Sequence, residues 1–480
     1  MLAMKAVKGA GWLVFSRFLG RMIDFFTLLI LARVLTPTDF GMTALAMSLV
    51  VIVDTVLEVP VTQALLRLAH VQNAHLDTGF TLGILRSSAI ALLVAFAAWP
   101  LSKLYNDPHL VPLLLVLAIG PIARGLYSPN MTSFTRDLHF KQTFISEISG
   151  KLLAFGVAIT IALSGGGYWA IVANYIVSAV SNTIGSYILA PYRPALSLAK
   201  FSDFSSFIGW FSGSQIVAAI NWQLDRIILG RFVDRAVLGR YALATDMATL
   251  PSQSLIGPAL QPLMVAFTKI NSDPQRLRAA FLKTSRLAIL VSAPIFVGIS
   301  LTADLVISVL LGPKWHDAAP ILQIVAPTML AAPYFQTIYA YSLATDRPSI
   351  IFRLNAIECV MRISFVTAGI YFFSIDGAIA ARAIVAAAML VFYLNCTRRF
   401  VGIDIITQLA NLWKPVAATA VMAAFVVLFR EEVAGLGFGP IVVLAASAVV
   451  GAASYLAVLY ASGLHISADW HRLELRDRWL

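Results

Sequence analysis

Apolar residues run in blocks of about twenty along most of the chain, separated by short polar segments. Fourteen blocks stand out: 12–33, 40–59, 78–99, 110–131, 144–163, 168–190, 205–230, 236–260, 281–302, 318–342, 350–373, 376–397, 412–430 and 438–461. Each is long enough, as a helix, to cross a hydrocarbon core of about 30 Å. Runs of this length fit helices rather than barrel strands, so the pattern predicts an all-α polytopic membrane protein with about 14 spans.

The blocks also repeat. A shift of 198 positions lays Gly11-Trp12 on Gly209-Trp210, Leu31 on Leu229, Arg33 on Arg231 and Gly41 on Gly239. The same shift lays Ala44-Leu45-Ala46 on Ala242-Leu243-Ala244, Pro60 on Pro258 and Gln63 on Gln261. In each copy a long apolar helix ends at an Arg, a polar turn follows, and a second helix begins after Gly. Matches at Trp, Arg, Gly, Pro and Gln in one register indicate a tandem duplication.

Each copy holds six spans, and an even number returns the chain to its starting side. The halves are therefore expected to be parallel repeats about an axis along the membrane normal, with a central cavity between them. The expected organisation is an N-terminal lobe (1–195), a C-terminal lobe (196–400), an accessory helix pair (401–463) and a tail (464–480). The loop Tyr192 to Asp203, with Arg193, Pro194 and Lys200, reads as the linker between lobes. The stretch from Ser467 sets Trp470, Leu473 and Leu480 among Arg472, Arg476 and Arg478 and reads as a short interfacial amphipathic helix, with a disordered tail the alternative.

Orientation follows from the loop cations. With the N-terminus inside, the outside segments carry only Arg33, Lys103, Arg231, Arg235, Lys314 and Arg430. The inside segments carry many more, from Lys5 and Lys8 through Arg136, Lys141, Arg276 and Arg278 to Arg476, which predicts two cytoplasmic termini.

Composition agrees: 59% of residues are hydrophobic and 12% charged, against roughly 25% charged in soluble domains. In this setting the net charge of +11 reflects the positive-inside bias, and nucleic acid is not expected as a partner. Cys359 and Cys396 both lie in apolar runs and offer neither a disulfide framework nor metal spacing. Arg17, Arg21 and Asp24 interrupt the first apolar run, and no cleavable signal is expected.

Candidate chemistry lies in charges inside the spans, where a charge costs about 2.5–3.5 kcal/mol on insertion scales. Arg17, Arg21 and Asp24 share one face of the first span by their spacing of four and three. Arg86, Arg124 and Lys151 follow in spans three to five, with Glu147 four residues before Lys151. The second half carries Asp225, Arg226, Arg286, Arg362 and Arg382, with Glu358 four residues before Arg362. Each cation has a bland alternative: snorkelling, pairing with an acid, or bonding a broken helix's carbonyls. Cations outnumber acids across both lobes, however, and an excess of buried guanidinium points to an anion, with Arg suited to phosphate. Arg17, Arg21, Arg86, Arg124, Arg226, Arg362 and Arg382 are therefore the expected diphosphate-binding set. Asp24, Asp54, Glu58, Asp225 and Glu358 are candidates for ion coupling or pairing, with helix-end positions the alternative for Asp54 and Glu58.

No enzyme signature stands out. The seven histidines are scattered, Ser164-Gly165-Gly166-Gly167 falls at a turn between spans, and no Walker A pattern occurs. Neither a metal nor a cofactor is expected.

The stretches Lys8-Gly9-Ala10-Gly11-Trp12 and Leu31-Ala32-Arg33-Val34-Leu35-Thr36-Pro37-Thr38-Asp39-Phe40-Gly41 resemble those of Wzx-type polysaccharide flippases. These belong to the multidrug/oligosaccharidyl-lipid/polysaccharide exporter superfamily. Tyr241-Ala242-Leu243-Ala244, Pro258-Ala259-Leu260-Gln261-Pro262 and Leu311-Gly312-Pro313-Lys314-Trp315 are similar to the colanic-acid and succinoglycan-type branch. The resemblance covers about residues 5 to 460. It implies two six-helix bundles forming a V-shaped cavity, with two further helices. It also implies export of an undecaprenyl-diphosphate-linked oligosaccharide across a bacterial inner membrane, for exopolysaccharide, capsule or O-antigen, by alternating access. The implied partners are that lipid, the surrounding membrane lipids, and the polysaccharide polymerase and chain-length machinery. The family offers no invariant signature to map, so the site residues rest on the intramembrane-charge argument alone. The rival readings are an ion-coupled multidrug antiporter, a membrane-embedded polymerase or acyltransferase of the same pathway, and a lipid II flippase.

Overall fold

Thr36 shows how the apolar blocks become separate helices. Its hydroxyl accepts a hydrogen bond from the Asp39 N–H, the Asp39 carboxylate accepts one from the Thr36 N–H, and Pro37 fills the first helical position. This capping box starts the second helix at Pro37, earlier than the start after Gly41 expected from the sequence.

The computed structural model describes residues 2–58, 61–67, 71–137, 139–256, 263, 266–433, 435–469 and 472–477. Its first helices are α1 (Leu2–Val34), α2 (Pro37–Val56), α3 (Val61–Arg67), α4 (Asn73–Leu104), α5 (Leu110–Leu117), α6 (Ile119–Gly125) and α7 (Met131–Arg136). They are followed by α8 (Phe140–Leu163), α9 (Trp169–Leu189), α10 (Phe201–Phe232) and α11 (Arg235–Pro251), which runs into a π turn at Ser252–Ile256. Then come α12 (Pro274–Leu301), α13 (Ala303–Leu310), α14 (Ala319–Thr328), α15 (Ala331–Ala344), α16 (Ser349–Phe400), α17 (Ile405–Val433) and α18 (Pro440–Ala461). Among the described residues eight helical stretches are long and apolar enough to cross a membrane, by length and composition. The chain is an all-α polytopic membrane protein. The duplication matches at Pro60, Pro258 and Gln261 lie outside the described residues.

Contacts divide the chain into two compact units, Met1–Gly239 and Arg240–Leu480. In the first, α8 and α9 form a hairpin through the Gly165–Gly167 turn, where both glycines have positive φ. α1 lies on α8, α4 on α5 and α6, α6 on α9, and α10 on α2. α10 and α2 are bridged by the Ser48 hydroxyl, which donates to Gln223 Oε1 at 2.9 Å.

Gly41 and Gly239 account for the close approach of α2 to the start of α11. A Cβ on Gly41 would overlap the Arg235 carbonyl, and a Cβ on Gly239 would overlap the Pro37 carbonyl. Pro37 and Arg235, like Gly41 and Gly239, are 198 residues apart. The two copies thus touch reciprocally, as residues do across a local two-fold axis.

The linker is strapped to α4. Tyr192 donates to Asp77, the Ser197 N–H to Thr81 Oγ1 at 2.9 Å and the Lys200 N–H to Thr78 Oγ1 at 3.2 Å. His75 Nε2 lies 3.2 Å from Asp203 Oδ2. Burial and the Asp77 carboxylate raise the Tyr192 phenol above its ordinary pKa, so it stays a donor.

In the second unit α12 packs on α14, α15 and α17, around Phe281, Tyr334, Leu354 and Tyr393. α16 is two spans joined without a gap. Phe373 and Ser374 leave helical geometry, and Gly369 faces Gly377 so closely that a Cβ on either would overlap the other's backbone. By element order α1, α2, α4, α5/α6, α8 and α9 correspond to α10, α11, α12, α14/α15 and the two arms of α16. The fourth span is interrupted in both copies. Pro121 breaks it at Leu117–Ala118 and Pro333 at Met329–Leu330, because a proline ring clashes with the carbonyl four residues earlier. Between the blocks 281–302 and 318–342 the chain forms α13 and a 3-10 turn (Pro313–Ala318), with Trp315 fully buried.

α17 and α18 form the accessory pair. Leu290 of α12 packs against Ala418, Met422 and Val426, and Tyr455 of α18 donates to the Leu290 carbonyl at 2.7 Å. After α18 the tail differs from the helix expected. Strands β1 (Leu464–Asp469) and β2 (Arg472–Asp477) pair antiparallel, with Ile466 opposite Leu475 and Ala468 opposite Leu473. The sequence Arg-Leu-Glu-Leu-Arg alternates with period two, which suits a strand better than a helix. Trp470, Arg478 and Leu480 lie outside the described residues.

Candidate functional site

Gly83 and Gly125 bring α4 and α6 into backbone contact; a Cβ on Gly83 would lie 2.7 Å from the Gly125 carbonyl oxygen. Each glycine has an arginine beside it, Arg86 one turn on and Arg124 adjacent, so the two guanidinium groups converge. Asp54, near the end of α2, meets both. Its Oδ1 lies 2.6 Å from Arg86 Nη2 and its Oδ2 2.9 Å from Arg124 Nη2. Arg124 also donates to the Tyr175 hydroxyl of α9 at 2.6 Å, and its guanidinium carbon lies 5.1 Å from that ring's centroid. Gly120 leaves room for the ring, which a Cβ there would strike.

The two arginines are held differently. Arg86 additionally donates to the Leu57 carbonyl at 3.0 Å and the Asp54 carbonyl at 2.9 Å, so it caps the negative end of α2. The Arg124 side chain is 38% exposed and Arg86's is 19%, so Arg124 is the one open to a ligand. Two guanidinium groups against one carboxylate leave one positive charge. Arg124 also sits just past the break between α5 and α6. In secondary transporters in general, interrupted segments at matching positions of two repeats mark ligand sites.

A second ion group joins α1 to α8. Lys151 Nζ lies 2.5 Å from Asp24 Oδ2 and reaches the Gly20 carbonyl at 3.4 Å, so Asp24 meets Lys151 rather than Arg21. Glu147 accepts from Ser16 and feels both Lys151 and Arg17. Arg17 and Arg21 are exposed on α1. Glu58 follows the last turn of α2, half-buried.

In α10, Asp225 is buried and Arg226 half-buried. In the second unit Arg362 and Glu358 form the expected i, i+4 pair at 2.8 Å. Arg382 is buried and donates to the Tyr241 hydroxyl at 3.0 Å. Arg286 bonds Asn411 Oδ1 at 2.9 Å and serves the seam between α12 and α17. The structure thus brings Asp54, Arg86 and Arg124 together out of the sequence-predicted set, and adds Tyr175. Nothing in the sequence marks Tyr175, which stands 51 residues from Arg124 in an apolar block.

The sequence pattern of the polysaccharide biosynthesis protein family matches residues 30–320. The chain belongs to this family. The succinoglycan biosynthesis transport protein ExoT of Rhizobium meliloti (strain 1021) is 24% identical over 466 residues, 95% of this chain and 93% of that one. The lipopolysaccharide biosynthesis protein WzxC of Escherichia coli (strain K12) is 23% identical over 76% of this chain and 75% of its own length. Among solved structures, the lipid II flippase MurJ in an inward closed conformation matches with a TM-score of 0.75 at 13% identity, covering 93% of this chain and 97% of that one. An inward-facing multidrug resistance MATE family transporter matches with a TM-score of 0.57 at 12% identity, over 81% of this chain and 98% of that one. The expected resemblance to polysaccharide exporters holds, and membership of this family favours a transporter over a polymerase or acyltransferase.

Proposed function

We propose that this member of the polysaccharide biosynthesis protein family is a flippase. Its substrate would be an undecaprenyl-diphosphate-linked oligosaccharide, moved across the bacterial inner membrane by alternating access of the two repeats. The observation that carries the reading is the Asp54–Arg86–Arg124–Tyr175 cluster. It is a net-positive group in a membrane-embedded bundle, with one guanidinium part-exposed beside a broken span. The planar, bidentate guanidinium groups of such a pair suit a diphosphate. Both termini would be cytoplasmic, as the loop cations indicate. The polymerase and chain-length machinery of the same pathway would take over the product.

The test is translocation of a labelled polyprenyl-diphosphate oligosaccharide in proteoliposomes. Arg124→Gln is expected to reduce it roughly tenfold or more, the loss of a charge-assisted hydrogen bond worth about 1.5–3 kcal/mol. Unchanged translocation by folded Arg124→Gln would remove this assignment. Efflux of cationic drugs on a sodium or proton gradient, with no lipid moved, would favour the multidrug antiporter.

A further inference from the structure

Asp107 and Arg235 belong to different copies of the duplication and form an ion pair of 3.1 Å whose side chains are only 12% and 14% exposed. Arg235 also donates to the Gly230 carbonyl at 2.9 Å and the Tyr105 carbonyl at 3.3 Å. The Tyr105 hydroxyl donates back to the Ile227 carbonyl of α10 at 3.2 Å. The α4–α5 turn of the first repeat therefore grips the α10–α11 turn of the second. Beside this grip lies the reciprocal glycine contact, Gly41 on the Arg235 carbonyl and Gly239 on the Pro37 carbonyl.

The two contacts share a character that most helix seams here lack. The glycine crossing is backbone against backbone, with no interdigitated side chains to unlock. The ion pair sits at helix ends, where parting would return both charges to water. Such a joint rests on a few discrete contacts next to the α10–α2 seam, where Ser48 meets Gln223, as a two-state element requires. By the loop-cation reading it lies at the outer membrane face, the end that must open for an exporter to release its load.

We propose that the Asp107–Arg235 pair and the Gly41/Gly239 crossing form an outer latch that parts once in each transport cycle. The proposal deepens the alternating-access reading above and rests on it. Asp107 is the switchable component. Its Oδ1 also accepts from the His109 N–H at 3.1 Å, a bond that asparagine can keep while losing the charge.

The test uses the full chain in proteoliposomes, with Cys359→Ser, Cys396→Ser, Thr38→Cys and Ala236→Cys carrying spin labels on the first turns of α2 and α11. Pulsed dipolar spectroscopy gives the distance distribution, and a labelled polyprenyl-diphosphate oligosaccharide gives translocation in the same vesicles. The ligand-free protein is expected to show one short distance, and a longer one is expected to appear with the lipid. Asp107→Asn is expected to raise the longer population roughly tenfold without lipid, the effect of weakening one charge-assisted pair. Asp107→Glu restores the short distance, and Gly41→Ala shifts it as Asp107→Asn does. A single unchanged distance in every variant and during translocation would overturn the latch while leaving the flippase reading intact. Distances that redistribute as expected without movement of the lipid would keep the latch and overturn the substrate class.

Discussion

Arg86 and Arg124 reach one carboxylate on unequal terms, and single substitutions should separate their roles. Arg86 caps α2 with bonds to two backbone carbonyls, so Arg86→Gln strands buried acceptors. It should lower thermal stability by about 1–3 kcal/mol, read as a fall in melting temperature in detergent. Arg124→Gln should leave melting nearly unchanged and act on translocation. Asp54 occupies the positions that a ligand anion would take on both arginines. Asp54→Asn should therefore bind a fluorescent polyprenyl diphosphate several-fold more tightly, by direct titration, and release it more slowly. Weaker binding by Asp54→Asn would mean that the carboxylate orients Arg124 rather than competing with the ligand. These convergences were not legible beforehand. The Asp54 bonds span 32 and 70 residues, and sequence spacing reports only partners within a turn or two, as it did for Glu358 and Arg362.

Helix interruptions, unlike ion pairs, are written locally. Pro121 and Pro333 each break their span three residues before the ring, and Thr36-Pro37-Thr38-Asp39 starts α2 with its own cap. The apolar pattern separated α1 from α2 but merged the pieces on either side of the Pro121 and Pro333 breaks into single blocks, because hydropathy does not record a missing N–H. The tail differs from the helix expected because amphipathic composition does not register its period-two alternation, Arg-Leu-Glu-Leu-Arg, which marks a strand. The accessory pair offers a test at this scale. Tyr455 reaches the Leu290 carbonyl of α12 from inside a packed seam. Tyr455→Phe should cost about 1 kcal/mol by thermal melting and leave translocation per folded molecule unchanged. The linker offers another. Tyr192→Phe frees Asp77 and should speed proteolysis between α9 and α10, measured by the rate of nicking at Arg193 or Lys200.

For the molecule as a whole, the duplication was the most legible feature. Gly, Arg and Trp matches in one register survive where apolar letters drift. It also governs the fold, since the six spans of each copy follow in the same order, with α13 and the 3-10 turn added in the second. The compact units do not divide where the copies do. The first runs to Gly239, since α10 packs on α2 and the linker is fastened to α4. A sequence repeat records ancestry, whereas contacts record which helices found partners.

The reciprocal glycine contact bears on that ancestry. Residues that meet their own counterparts in this way would, in an unfused ancestor, have met across the dyad of a homodimer. Pro37 and Gly41 of one six-helix chain would have faced Gly41 and Pro37 of another in the same orientation. A fusion of two such chains would keep that pairing within one molecule, with glycine at the crowded position of both copies.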